Sequence, residues 1–142
     1  MKTRSRKTKG KRGQNKARLA LVEFFKEFGL KDGDFLGVPA GIPGTDVVLS
    51  PKAQRLFNYD VEVKNHERLN IWDAIIQSRN RLIGDLKSII FFTRNREKMY
   101  VTLEMEDFFN IYRAYVKELL LNPEQPVLPK QIQEIPTEKE NS

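Results

Sequence analysis

The chain has no cysteine, one histidine and one tryptophan in 142 residues. Without thiols there is no disulfide framework, no thiolate zinc site and no cysteine nucleophile. His66 alone builds no multi-histidine metal site, and no Ser or Cys motif makes it the base of a triad. Long hydrophobic runs are missing as well: stretches such as Val47-Val48-Leu49 and Ile89-Ile90-Phe91-Phe92 are far too short to cross a bilayer. The basic start is not followed by the apolar segment of a signal peptide. Together these absences lead to the expectation of a soluble protein in a reducing, intracellular setting.

Acids are absent from residues 1 to 18, which hold nine bases. The formal net charge of +6 therefore divides into a +9 segment and a remainder of −3. A segment of that charge neutralises phosphates and releases their counterions, so it suits salt-sensitive, sequence-tolerant binding of nucleic acid. A solubility tail or an anionic-membrane contact would use the same charges, but the segment has no aromatic or apolar face to insert. The bases singled out for DNA are Arg4, Arg6, Lys7, Lys9, Lys11, Arg12 and Lys16.

The length suits one compact domain. Residues 1–12 have no apolar anchor and are expected to form a flexible arm. From Gly13, the spacing of Ala17, Leu21, Phe24 or Phe25, and Phe28 predicts a helix ending near Gly29. Short strands are expected at 35–39 and 46–50, the second buried because its run is fully apolar. Residues 51–57 read as a turn or short helical insertion. Tyr59 to Lys64 alternates, with Val61 and Val63 on the core face and Asp60, Glu62 and Lys64 on the other. A second helix is expected over 69–83, with an apolar stripe of Trp72, Ile75, Ile76, Leu82 and Ile83; on that spacing Trp72 belongs to the core. Strands at 88–93 and 99–103 flank the charged turn Arg94 to Lys98. A third helix, 104–121, carries Met105, Phe108, Phe109, Tyr112, Tyr115, Val116 and Leu119. Residues 122–142 are rich in Pro and Glu and read as a disordered tail. The resulting domain, 13–121, has the order α-β-β-β-α-β-β-α, an α/β fold with a mixed central sheet flanked by helices.

Glu62 and Lys64 share a strand face, and Asp46 stands at the head of the preceding strand after Gly44-Thr45. Two carboxylates with waters and a substrate phosphate suffice for Mg²⁺. A Glu-x-Lys tripeptide by itself carries no weight, since about one arises by chance in a chain of this composition; taken alone, it reads first as a solvated strand face with an exposed salt bridge. Asp60 competes with Asp46 for the role of second carboxylate. His66, directly beyond the strand, and the turn bases Arg94, Arg96 and Lys98 are weaker candidates for phosphate contact.

The run Gly44-Thr45-Asp46-Val47-Val48-Leu49, then Val61-Glu62-Val63-Lys64, then a helix bearing Gln77, resembles the PD-(D/E)xK nucleases of restriction-endonuclease-like fold. The likeness is to small phage and archaeal Holliday junction resolvase-like endonucleases, whose basic opening segment Lys9-Gly10-Lys11-Arg12-Gly13 resembles. It covers roughly residues 9 to 105. The resemblance implies Asp46 and Glu62 as metal ligands, with the Val63 carbonyl completing the shell. It implies Lys64 as the lysine acting on water or phosphate, and Gln77 as a polar residue of the site. It further implies Mg²⁺ (or Mn²⁺) as cofactor, branched DNA as substrate, a homodimer, and the cytoplasm of a prokaryotic or phage-infected cell. Two positions depart from the pattern. Thr45 stands where proline precedes the first acid. Ala17 stands where the first helix usually has a Glu, with Gln14 and Glu23 nearby. Two alternatives follow from the same residues: a non-catalytic nucleic-acid-binding protein on this fold, favoured by the missing Glu, and a nuclease for duplex or flap DNA.

Overall fold

The computed structural model describes residues 2–39 and 41–124. The chain divides into two compact units, residues 1–104 and 105–142. In the first, a five-stranded mixed sheet of order β1-β2-β3-β4-β5 comprises β1 (Phe35–Gly37), β2 (Val47–Leu49), β3 (Tyr59–Asn65), β4 (Lys87–Thr93) and β5 (Tyr100–Leu103). β3 and β4 are parallel and joined through helix α3 (Ile71–Asn80); the other neighbours are antiparallel. Helix α1 (Lys2–Phe25) precedes the sheet, and short α2 (Pro51–Leu56) sits between β2 and β3. The expected element order is present, with α2 as the helical insertion. The sheet is complete at Leu103, and the division between the two units falls at 104/105.

The core lies between α1 and one face of the sheet. Ala17, Leu21 and Phe25 are buried, and Leu21 and Phe25 pack with Phe35, Val47, Leu49, Val61 and Ile89. Phe25 stacks on Phe35 with ring centroids 5.8 Å apart. Phe24 and Phe28, which share the expected stripe, are exposed. β2 is half-buried, not fully buried: Val47 and Leu49 point inward while Val48 is exposed, as strand alternation requires.

α1 begins at Lys2, not at Gly13, so the expected arm is continuous with the helix. Its basic half is tied to the sheet. Asn65 Nδ2 donates to the Lys9 carbonyl at 3.0 Å, and Lys9 Nζ pairs with Glu67 at 2.7 Å. Gly13 lets the helix approach: a Cβ there would stand 2.9 Å from Asn65 Cβ. Alanine gains roughly 1 kcal/mol over glycine within a helix, yet overpacking costs about 1–3 kcal/mol. Gly13→Ala is therefore expected to lower the melting temperature, a result that thermal unfolding would read directly.

α3 turns a different side to the sheet from the one its apolar spacing predicts. Ala74 and Ser78 are buried, and the Ser78 and Ser88 hydroxyls meet at 2.5 Å. Small side chains allow this close approach, so the bulky ones are turned outward. Trp72 is 70% exposed, and Ile76 and Ile83 are exposed with it. Asn70 caps the helix by accepting from Asp73 N.

The second unit contains α4 (Met105–Leu121), with Glu106 and Asp107 in its first turn. Phe108, Tyr112 and Tyr115 form a chain of ring contacts along it, with centroids 5.6 to 5.7 Å apart. Residues 125–142, most of the expected tail, lie outside the described residues. No helix among the described residues is long and apolar enough to cross a membrane.

Candidate active site

Val47 pairs with Val61 in the antiparallel β2–β3 ladder. Asp46 immediately precedes β2 and bonds β3 at both Val61 and Val63. The start of β2 is fixed through its backbone: Asp46 N donates to the Val61 carbonyl at 2.8 Å. The Asp46 carbonyl accepts from Gln14 Nε2 at 2.6 Å, and the same amide group donates to the Val38 carbonyl at 3.0 Å. The Thr45 hydroxyl bonds the Val47 and Val61 backbone, which gives it a structural task at the head of β2. Asp46 Oδ2 accepts from Val63 N at 2.7 Å, which leaves Oδ1 for a cation.

Behind Asp46 lies a network of charges on the sheet face turned toward α3. Glu62 and Asp60 are buried, at 5% and 8% exposure. Lys64 Nζ lies 3.1 Å from Glu62 Oε1 and donates to Gln77 Oε1 at 3.0 Å. Arg81, at the C-terminal end of α3, donates one terminal nitrogen to Glu62 Oε2 and the other to Asp60 Oδ1. Three carboxylates thus meet two cations. Burial pushes the Asp46 carboxyl up to about 6. Repulsion from Glu62 adds to the rise, while the Val63 N–H, Arg81 and Lys64 oppose it. A carboxylate that resists ionisation beside a second one is a pair that a bound cation would relieve.

Asp46, Glu62, Val63, Lys64 and Gln77 therefore come together from three elements. The solvated salt bridge, the alternative explanation of Glu62 and Lys64, does not describe this face, since Asp60 and Glu62 are covered. Asp60 belongs to the Arg81 pair on this face. Ala17 is buried in the core, and the α1 residue that reaches the site region is Gln14, acting on the Asp46 backbone. Arg81 was not among the expected site residues. Its signal lies in i,i+4 spacing from Gln77, together with the counter-charge that two acids on one buried strand face require.

The bases Arg6, Lys7, Lys9, Lys11, Arg12 and Lys16 lie on α1; the Arg4 side chain lies outside the described residues. Their field reaches the end of β3. The proton affinity of His66 is lowered by burial first, then by Lys64, Lys9 and Arg6. Arg94 at the hairpin pairs with Glu97 at 3.6 Å.

Among the described residues no three His, Cys, Asp or Glu side chains converge as a cation site. A divalent ion here would rest on the Asp46 and Glu62 carboxylates, backbone carbonyl oxygen and water. That all-oxygen donor set fits Mg²⁺ or Mn²⁺. To accept an ion, Glu62 must release a cationic partner. Lys64 holds it through one contact and Arg81 through a fork that also grips Asp60, so Lys64 is the partner more readily released. No family model, curated protein or solved structure matches this chain.

Proposed function

We propose that the chain is a metal-dependent DNA endonuclease of the PD-(D/E)xK type, with a restriction-endonuclease-like core, acting on branched DNA in the manner of a Holliday junction resolvase. The observation that carries this reading is the convergence of Asp46, Glu62, Lys64 and Gln77, from three separate segments, on one end of the sheet beside a basic helix. The element order α-β-β-β-α-β-β-α supports the fold assignment.

In this reading Asp46 and Glu62 hold Mg²⁺, with the Val63 carbonyl, and Mn²⁺ is an alternative. Such an ion, when bound, would supply a water of lowered pKa and compensation for charge on the phosphate. Lys64, held at the site by Gln77, donates to the attacked phosphate or to the water. The α1 bases hold the strand against the repulsion of the carboxylates. Two coordinated cuts in a four-way junction call for a homodimer. The intracellular location, in a prokaryotic or phage-infected cell, follows from the same reading.

The test is cleavage of a synthetic four-way junction, a flap and a linear duplex with Mg²⁺ and with Ca²⁺. Mg²⁺-dependent cutting is expected, lost in Asp46→Ala and Glu62→Ala. Equal cutting by both variants would remove this site from consideration. Preference for flap or duplex would replace the resolvase reading with a general nuclease. A second reading, a binding protein without catalysis, is favoured by one observation: both Glu62 oxygens are held by cations. Tight binding with no cutting of any substrate would select it.

The role of α1 carries its own prediction. Each base that neutralises a duplex phosphate adds about 0.9 to the slope of log affinity against log salt. Replacing Lys7, Lys11, Arg12 and Lys16 together with Gln is expected to flatten that slope by about 3 to 4 if all four contact phosphate. Affinity should fall alike on unrelated sequences. Fluorescence anisotropy in Ca²⁺ over a salt series measures both.

A further inference from the structure

Arg81 has no part in the chemistry proposed above, yet it is the most constrained cation of the site. Its two terminal nitrogens lie 2.5 Å from Glu62 Oε2 and Asp60 Oδ1. Its Nε is buried and has no hydrogen-bond partner, so the whole orientation of the guanidinium is set by the two carboxylates. Those carboxylates are two residues apart on β3 and both buried, the placement in which a bridging divalent ion would otherwise be stable. Arginine cannot lose its charge, so this position is held by a permanent cation at every physiological pH.

Charge balance points the same way. Asp46, Asp60 and Glu62 against Lys64 and Arg81 leave the site one negative charge. A single divalent ion turns that to one positive charge, and a second would have to enter an already positive site. We propose that Arg81 is a built-in cation standing in the place of a second divalent ion, so that the site takes a single metal between Asp46 and Glu62. Arg81 is thus a positioning residue: it presents Glu62 to the metal and withholds Asp60 from it. This inference rests on the nuclease reading, specifically on a metal at Asp46 and Glu62.

The experiment counts bound Mn²⁺ on the full chain by electron paramagnetic resonance of the free ion, with isothermal titration as a second measure. The native chain should bind one Mn²⁺. Arg81→Gln should bind two, and Arg81→Gln combined with Asp60→Asn should return to one. Arg81→Lys, which keeps the charge, should also bind one. A native chain that binds two ions, or an Arg81→Gln chain that binds only one, overturns the role of Arg81 while leaving the metal-dependent reading in place. A native chain that binds none removes the metal and this inference together. Folding is followed by circular dichroism in the same titration. An Arg81→Gln chain that stays unfolded in millimolar Mn²⁺ overturns the proposal too, because the ion should replace the guanidinium.

Discussion

Asp46→Asn is expected to end metal-dependent cutting and, at pH 7, to make the protein more stable. The carboxyl is raised from 3.8 to about 6 by burial and by Glu62, so the folded state favours its protonated form. The sign follows from linkage. Below the lower value the group is protonated in both states and costs nothing. As pH rises from 3.8 toward 6 the unfolded chain ionises first and stability falls, and above 6 the full cost is present. At about 1.4 kcal/mol per pH unit the full cost is about 3 kcal/mol; solvent screening at a partly exposed group brings the expected gain to about 1–2 kcal/mol. Asparagine keeps an oxygen for the Val63 N–H, so geometry is retained. Thermal melts of the native and Asp46→Asn chains should coincide near pH 3 and diverge between about pH 4 and 6. In the native chain the affinity for Mg²⁺ should climb over the same interval, because the ion competes with the Asp46 proton. Melts that stay parallel at every pH would refute the assignment of a raised Asp46.

Glu62→Gln should have the opposite effect on stability while also ending cleavage. Glu62 is buried between Lys64 and Arg81, and its charge is what allows Arg81 to lie there. Removing one partner from a buried ion pair costs about 3–5 kcal/mol, because the other charge is left uncompensated. Asp60 retains half of the fork, so about 3 kcal/mol is expected. For a domain of this size that lowers the melting temperature by on the order of 10 °C. The contrast is the informative result: two neighbouring carboxylates, both needed for cutting, with stability effects of opposite sign. A Glu62→Gln chain as stable as the native one would show that the Arg81 fork contributes nothing to the fold. Chemical denaturation at pH 7 measures both variants on one scale.

Much of the sheet was legible because strand alternation and turn residues are local signals. The alternation of Tyr59 to Lys64 placed Val61 in the core and the polar residues opposite, as observed. The same local reasoning failed where packing distance decides. In α3 the apolar spacing nominated Trp72 and Ile76, but close contact through Ser78 and Ser88 turned the small residues inward. At the N-terminus, composition suggested a free arm, whereas the Asn65 and Glu67 contacts to Lys9 join it to the sheet as helix. Neither contact has any trace in local sequence, since the partners are more than 50 residues apart.

For the candidate site, residue types alone established which chemistry was available. The chain holds two strand acids, a lysine two residues on, a basic first helix, and neither thiols nor a second histidine. How those groups are used depended on tertiary packing. Burial of Asp46 at the head of β2, with Glu62 nearby, raised its proton affinity, and the return of α3 over the sheet brought Arg81 onto Asp60 and Glu62. Gln14 became a clamp on the Asp46 backbone through its amide nitrogen. The physical reason is that residue types carry their charge and donors with them, whereas burial and counter-charge arise only when distant segments pack.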